Sequence, residues 1–508
     1  MFLGRIPVTR PLLCETVTAR TLPELRAARD AAHQADLVEL RLDGVADLDV
    51  AGALEGRRRP VVVTCRPAWE GGRFDGSEED RRRILEQALA LGAEYVDVEW
   101  RAGFDALVRS TGGARVVISN HDFAGIPSDL LDRARAMRAS GAEVVKLAVS
   151  PHRLSDTLQL REVTREGRAI AIGMGPTGVA TRILAARFGS CWTYAGNAVA
   201  PGQLPAATMV DVFRFRQLNP ETAVYGVVGN PVIHSLSPVM HNAAFEAAEL
   251  DAVYVPLQAA DFSDFLTFAK ALDIEGASVT IPFKLDAARS AHHVEEPARK
   301  VGAANTIRRS TTGWDATNTD IEGFLAPLIG PAKAGPGKRL AGLRASVLGA
   351  GGAARAVVAG LVSEGAQVTV HARQPERARN LAAVFGAAHG PWPPAVESWD
   401  LLVNCTPLGS LALSDESPVP TGALRQGLVY DLVYVPAETR LLREARAAGC
   451  DTLGGLPMLI AQAERQFAWW TGRPAPEGVM ARAAHAALKT RHHEAHEGHE
   501  TRSLRGAS

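Results

Sequence analysis

The chain has 508 residues, 46% hydrophobic and 22% charged, with a formal net charge of -1. That length exceeds a single hydrophobic core and sets an expectation of two or three domains. The near-neutral balance gives no electrostatic ground for nucleic acid or an anionic membrane as partner. Cys14, Cys65, Cys191, Cys405 and Cys450 are scattered without CxxC or metal-ligand spacing, so reduced thiols are expected and no metal site. The start, Met1-Phe2-Leu3-Gly4-Arg5, lacks a signal-peptide apolar core, and no run has membrane length. A cytoplasmic location is the expectation.

From the N-terminus to residue 218 one pattern repeats: a short apolar strand, then a helix rich in Ala, Leu and Arg. The expected strands are Leu12–Val17, Leu37–Leu42, Val61–Thr64, Tyr95–Val98, Arg115–Ser119, Val144–Val149, Ala169–Gly173 and Cys191–Tyr194. Helices are expected over Ser77–Leu91 and Ser128–Ser140, the second capped by Ser128 and ended by Gly141. Eight strands alternating with helices predict an α/β fold, here a parallel (β/α)8 barrel.

Polar residues fall where such a barrel keeps its active site, at the C-terminal ends of strands. Glu39, Arg41 and Asp43 close the second strand, Arg66 and Glu70 follow the third, and Asn120-His121-Asp122 close the fifth. Lys146 lies inside Val144-Val145-Lys146-Leu147-Ala148-Val149, and Arg182 follows the seventh strand. A lysine in a buried strand is costly unless paired or neutral, and a neutral amine is a nucleophile toward carbonyls. A structural Lys–Glu pair is the other reading of the same position.

These motifs, with Met174-Gly175-x-x-Gly178 and Ala200-Pro201-Gly202-Gln203, make residues 10–205 resemble type I 3-dehydroquinate dehydratase. The resemblance implies that Lys146 forms an imine with the substrate ketone. It also implies that His121 moves the proton, that Glu70 orients His121, and that Arg182 and Gln203 hold the substrate carboxylate and a hydroxyl. Glu39, Arg41 and Arg66 would line the rest of the site. Val199 and Thr181 depart from the family, which usually has Ser at both positions.

The breaker-rich stretch Gln217-Leu218-Asn219-Pro220-Glu221-Thr222 marks a domain boundary near 219–222. The expected division is a barrel over 1–218, a substrate lobe over 223–335 completed by part of 455–488, and a nucleotide lobe over 338–455. The loop 331–338 would be the hinge between the lobes. The tail over 490–508, with His492, His493, His496 and His499, reads as a solvated disordered segment.

Beyond the boundary, Ser346-Val347-Leu348-Gly349-Ala350-Gly351-Gly352-Ala353-Ala354-Arg355 is an apolar strand turning through glycines into a helix. Small residues there let a pyrophosphate approach the helix N-terminus, a Rossmann-like arrangement. The next strand, Gln367–His371, ends about 20 residues on, as a dinucleotide site requires. No acid closes it; His371-Ala372-Arg373-Gln374-Pro375-Glu376-Arg377 follows instead. An acid there would bind a ribose 2′-hydroxyl and repel a 2′-phosphate, so its absence points to NADP(H).

Ser235 and Ser237, Ser278-Val279-Thr280 with Lys284, Asn305-Thr306, Asn318-Thr319-Asp320, Asn404-Cys405-Thr406-Pro407, Tyr434-x-Pro436 and Met458-Leu459-x-x-Gln462 follow in order. Over residues 223–475 they resemble shikimate dehydrogenase. The resemblance implies that Ser235 and Ser237 bind the substrate carboxylate, that Thr280, Asn305, Tyr434 and Gln462 bind the rest, and that Lys284 and Asp320 form the catalytic pair. Gly349, Gly351, Gly352, Ala353, Arg373, Arg377, Asn404, Thr406 and Gly455 would line the cofactor. Ser278, Ala372 and Gln374 depart from the family pattern. The two resemblances together imply consecutive steps of the shikimate pathway acting on small molecules. A catabolic quinate/shikimate dehydrogenase fusion and a non-catalytic sensor of pathway intermediates are the alternatives.

Overall fold

The structure, a computed structural model, describes residues 10–197, 199–329, 340–396 and 398–490. The expected hinge and almost all of the histidine-rich tail lie outside the described residues. Two compact units are present: 1–233 with 251–274, and 234–250 with 275–508. No helix among the described residues is long and apolar enough to cross a membrane.

The first unit contains β1 (Leu12–Thr18), β2 (Leu37–Arg41), β3 (Val61–Thr64), β4 (Tyr95–Glu99), β5 (Val116–Asp122), β6 (Val144–Val149), β7 (Ala169–Gly173) and β8 (Trp192–Ala195). They pair in parallel from β1 to β7 in order, and β8 lies against β1. Between β7 and β8 the ladder reduces to the approach of Cys191, whose N–H donates to Ala169 O at 2.9 Å. The result is a nearly closed eight-stranded barrel. Its interior is layered by the two-residue period of the strands. Leu37, Val62, Tyr95, Val117, Val144, Ile170 and Trp192 form an apolar layer. Two residues further along, Glu39, Thr64, Asp97, Ser119 and Lys146 form a polar one, all buried.

Ser77 caps the helix Glu78–Ala90 through Asp80 N, as its sequence predicts. Ser128 does not cap the next helix. A turn closed by Leu130 N–H to Pro127 O moves the start to Leu130–Ala139, with Asp129 before it.

Beyond the barrel the first unit also holds the parallel pair β9 (Ala223–Gly229) and β10 (Ala252–Gln258), then the helix Phe262–Ala271. Backbone carbonyls tie this segment to barrel arginines. Arg187 donates to Thr222 O at 2.7 Å and to Leu272 O at 2.5 Å, and Arg161 to Ala271 O at 2.8 Å. These strands therefore belong to the same compact unit as the barrel, on the far side of the breaker at 219–222.

The second unit has β11 (Ile274–Val279), β12 (His293–Val294), β13 (Thr306–Ser310) and β14 (Gly313–Thr317). In it β11, β13 and β14 run antiparallel in turn, and β12 lies parallel to β14. A second sheet follows: β15 (Arg344–Leu348), β16 (Gln367–His371), β17 (Ala388–Gly390), β18 (Leu401–Asn404), β19 (Leu428–Asp431) and β20 (Asp451–Leu453). Its order, β17-β16-β15-β18-β19-β20, is wholly parallel. This is the doubly wound order 3-2-1-4-5-6, whose crevice opens at the C-terminal ends of β15 and β18.

Candidate active sites

In the barrel, Glu39, Arg41, Arg66, Glu70, His121, Lys146, Arg182 and Gln203 all line one cavity, whereas Asp43, Asn120 and Asp122 do not. They converge because β2, β3, β5 and β6 end on the same rim. Lys146 Nζ lies 2.9 Å from Asp97 Oδ2 and 3.6 Å from Glu39 Oε1, beneath the Tyr194 ring at 4.1 Å. Glu39 is itself held by the hydroxyls of Thr16 and Thr64, both donating at 2.8 Å. The ion-paired reading of Lys146 therefore holds, with Asp97 as the nearer acid and Glu39 as the second.

Asp97 was not singled out from sequence, although it touches the lysine directly. Burial alone would raise its pKa, but Arg66 and Lys146 outweigh that and hold it below the usual carboxylate range. The available signal was parity. In Tyr95-Val96-Asp97-Val98-Glu99 two acids share one face of a strand, and both point inward. Arg66 binds both, at 3.0 Å from Asp97 and 2.6 Å from Glu99, and donates to Ser119 Oγ at 3.0 Å. The fully buried Arg81 also pairs with Glu99 and stacks 4.6 Å over Phe104. Arg66 is accordingly committed to barrel acids.

His121 receives Glu70 Oε1 at 2.9 Å on both its backbone N–H and Nδ1. This leaves Nε2 as the nitrogen able to exchange a proton. Burial first, then the charges of Arg66 and Lys146, push His121 well below its ordinary pKa, so the ring is a neutral base near pH 7. Burial pushes the Glu70 carboxyl up to about 7 against the pull of Arg66.

Arg182 differs from the other cations here. Its guanidinium is buried, donates only to the carbonyls of Tyr194 at 3.4 Å and Pro201 at 3.3 Å, and its Nε has no partner among the described residues. Burial pushes its pKa down to about 10. A buried cation facing only neutral acceptors is suited to an incoming anion. Gln203 is braced by Thr16, Ala195 and Ala200, and Arg41 makes a bidentate pair with Asp43 at 2.8 Å. Of the departures, Val199 lines the cavity, while the Thr181 hydroxyl joins Gly173 N to Gly178 O inside the fold.

In the second unit Lys284 Nζ lies 2.5 Å from Asp320 Oδ2. Asn305 Nδ2 donates to Asp320 Oδ1 at 2.8 Å, to Thr319 Oγ1 at 2.9 Å and to Gln462 Oε1 at 3.4 Å. Four of the predicted residues therefore form one hydrogen-bonded cluster. Ser235 Oγ accepts from Ser237 N at 3.1 Å at the start of the helix Ser237–Ala247. The departure Ser278 donates to Gln466 Oε1 at 2.7 Å, and Gln466 donates back to Thr306 at 2.9 Å. Gln466 is a supporting residue that sequence reading missed. Thr280 and Tyr434 are partly exposed.

Gly349 turns the chain out of β15 with φ at +110°, a conformation that glycine alone adopts without strain. A Cβ on Gly352 would stand 3.1 Å from Lys284 Cδ, which places the glycine turn beside the lysine. Arg373 and Arg377 are exposed, and neither has an ion pair among the described residues, whereas Glu376 pairs with Arg379 at 2.9 Å. His371 is buried between Ser346 Oγ and Pro391 O, and burial lowers its pKa, so it is a neutral framework residue. The Asn404 amide is likewise spent inside the fold: Nδ2 donates to Asp431 and Leu408 O, and Oδ1 accepts from Thr406 N and Oγ1. It shapes the loop that carries Thr406. Gly455 opens the helix Leu456–Thr471 and donates to Val433 O at 3.3 Å. Two exposed arginines, no acid closing β16 and a glycine turn fit a 2′-phosphorylated dinucleotide.

A buried lysine and a neutral histidine lining one barrel cavity fit a lyase site, and a Lys–Asp pair beside a glycine turn fits a nicotinamide-dependent oxidoreductase site. Comparison with known proteins agrees on both. The type I 3-dehydroquinase family matches residues 13–220. The shikimate dehydrogenase substrate binding domain matches 227–307, and the shikimate 5'-dehydrogenase C-terminal domain matches 455–485. The bifunctional 3-dehydroquinate dehydratase/shikimate dehydrogenase of Arabidopsis thaliana, a chloroplastic protein, is 34% identical over 508 residues, covering 92% of this chain and 83% of that protein. The shikimate dehydrogenase (NADP(+)) of Pelobacter propionicus is 42% identical over 269 residues, covering 51% of this chain and 94% of that protein. A crystal structure of shikimate dehydrogenase in complex with NADP+ matches with a TM-score of 0.50 and 34% identity, over 53% of this chain and 97% of that one. The chain belongs to the family of bifunctional 3-dehydroquinate dehydratase/shikimate dehydrogenases.

Proposed function

We propose that the chain dehydrates 3-dehydroquinate to 3-dehydroshikimate in the barrel and reduces that product to shikimate with NADPH in its second part. The observation that carries the reading is the pairing of two complete catalytic sets, Lys146 with His121 and Lys284 with Asp320, on one polypeptide.

In the first step Lys146 passes its proton to its carboxylate partner Asp97 and attacks the ketone; the adduct takes that proton back and loses water, giving an iminium. His121 Nε2 takes the proton from the adjacent carbon, and the iminium accepts the electron pair as an enamine. The protonated His121 then delivers that proton to the departing hydroxyl, and hydrolysis frees Lys146. Glu70 keeps the ring in the tautomer that leaves Nε2 unprotonated. Arg182 receives the substrate carboxylate, with Gln203, Arg41 and Glu39 around the hydroxyls and Arg66 holding the acids in place.

In the second step a bound NADPH would supply the hydride that the carbonyl carbon accepts. Lys284, held by Asp320, stabilises the charge that develops on oxygen and supplies the proton. Ser235 and Ser237 hold the carboxylate, while Thr280, Asn305, Tyr434 and Gln462 hold the remaining polar groups. Gly349, Gly351, Gly352 and Ala353 admit the pyrophosphate, and Arg373 and Arg377 bind the 2′-phosphate. Thr406, on the loop set by Asn404, and Gly455 would complete the cofactor site. We assign the dehydratase to 1–218 and the dehydrogenase to the sequence from 223 onward. The five unpaired cysteines support a reducing compartment, and we place the protein in the cytoplasm.

Separate assays test the assignment. Lys146→Ala should stop dehydration of 3-dehydroquinate and spare shikimate-dependent reduction of NADP+, and Lys284→Ala should do the reverse. Loss of both activities from either change in a folded protein would refute two independent sites.

A further inference from the structure

The helix Phe262–Ala271 lies in sequence matched by the shikimate dehydrogenase substrate binding domain, yet its buried acid serves the barrel. Asp264 is 1% exposed. Its carboxylate accepts Leu154 N–H at 2.9 Å and Ser155 N–H at 2.8 Å, besides Ala260 N–H at 2.9 Å. Leu154 and Ser155 open the short helix Leu154–Leu158, whose first N–H groups have no partner within the helix itself. A neighbouring pair, Arg153 with Asp261 at 2.9 Å, is nearly half exposed and contributes little by comparison.

We infer that Asp264 is a positioning residue for the dehydratase site, an inference that rests on the dehydratase reading of the barrel. The path is continuous. Leu154 and Ser155 end the loop that leaves β6, the strand of Lys146. Within that loop Ser150 N–H donates to Gly125 O at 3.2 Å, and His152 Nε2 meets Ala124 O at 3.0 Å. Ala124 and Gly125 follow His121 and Phe123 directly, and their own N–H groups donate to Asp122. Val149, at the end of β6, accepts from Met174 N at 2.7 Å, and Met174 lines the cavity. Asp264 thus anchors the loop that braces the chain on either side of the base and the nucleophile. The dehydrogenase sequence supplies a support that the barrel lacks on its own.

The test uses the full chain with Asp264→Ala, Asp264→Asn and Ser155→Pro. Proline is tolerated in a first helical turn and removes only the Ser155 donor. Both activities, the rate of borohydride trapping of the imine and thermal unfolding are followed. Asp264→Ala and Ser155→Pro should each lower dehydratase kcat by about tenfold, with slower trapping and dehydrogenase kcat within about twofold of the parent, as small displacements of catalytic groups do. Asp264→Asn, which keeps one acceptor oxygen, should recover part of the loss. Should Asp264→Ala fail to fold, Ser155→Pro decides alone. Unchanged dehydratase kcat in a folded Asp264→Ala or Ser155→Pro protein, or an equal fall of both activities, would overturn the role. A parent enzyme that does not dehydrate 3-dehydroquinate would instead refute the reading on which the inference rests.

Discussion

Lys146 Nζ and Asp97 Oδ2 stand 2.9 Å apart inside the barrel, one on β6 and the other on β4. In the proposed mechanism the attacking amine is therefore held as half of a buried ion pair, and imine formation would require that pair to part. Borohydride added with 3-dehydroquinate should attach ligand mass to Lys146 and to no other residue. Lys146→Ala should abolish the adduct, while Asp97 keeps Arg66 and Ser119 as partners and the barrel its fold, as a thermal melt would register. Normal dehydration by Lys146→Ala would rule out the imine.

The proposed mechanism predicts that the acid limb of dehydratase activity follows Glu70. Its carboxyl titrates at about 7, raised by burial, while His121 stays neutral well below its ordinary range. As pH falls through about 7 Glu70 takes up a proton and stops polarising His121, so kcat/KM should fall with it. Glu70→Gln should lose that inflection and run at a uniformly lower rate. The stability effect has its own sign. A raised carboxyl pKa favours the fold at low pH, and that benefit is lost as pH rises from the ordinary Glu range through about 7. Glu70→Gln should therefore gain Tm relative to the parent at pH 8 but not at pH 5.

Arg182 exchanges stability for binding. Its guanidinium is buried opposite neutral carbonyls, so Arg182→Met should raise Tm while sharply raising KM for 3-dehydroquinate. Substrate should stabilise the parent against heat and leave the variant unaffected. A lower Tm in Arg182→Met would mean that the two carbonyls already offset the burial of the cation.

Cofactor choice rests on Arg373 and Arg377. A charge-assisted hydrogen bond contributes about 1.5–3 kcal/mol, so NADP should be preferred over NAD by roughly tenfold to a hundredfold in kcat/KM. Arg373→Ala should remove most of that preference by weakening NADP alone. Equal use of both cofactors by the parent would contradict the assignment.

The strands were legible because each is a short, largely apolar run, and all eight barrel strands fall within a few residues of their expected bounds. The barrel's catalytic residues were legible because they stand inside or just beyond those strands as polar breaks in apolar runs: Lys146 within β6, His121 near the end of β5 and Glu70 after β3. Asp97 was not, since the parity it shares with Glu99 inside an apolar strand is a faint signal that carries no motif. Nor was the grouping of β9 and β10 with the barrel, which rests on arginines donating to backbone carbonyls and on Asp264 accepting from backbone N–H groups. Backbone partners leave no trace in side-chain identity. Asn404 and His371 show the converse: they sit where the dinucleotide pattern puts them, but their polar atoms are turned into the fold.

The central claim is two consecutive reactions on one chain, and a coupled assay tests it most directly. The purified protein is given 3-dehydroquinate and NADPH alone, with cofactor oxidation and product identity followed together. The account predicts repeated turnover, one NADPH oxidised for each shikimate formed, after a lag in which 3-dehydroshikimate accumulates. NADPH oxidation that begins only when 3-dehydroshikimate is added, or binding of 3-dehydroquinate without turnover, would contradict it.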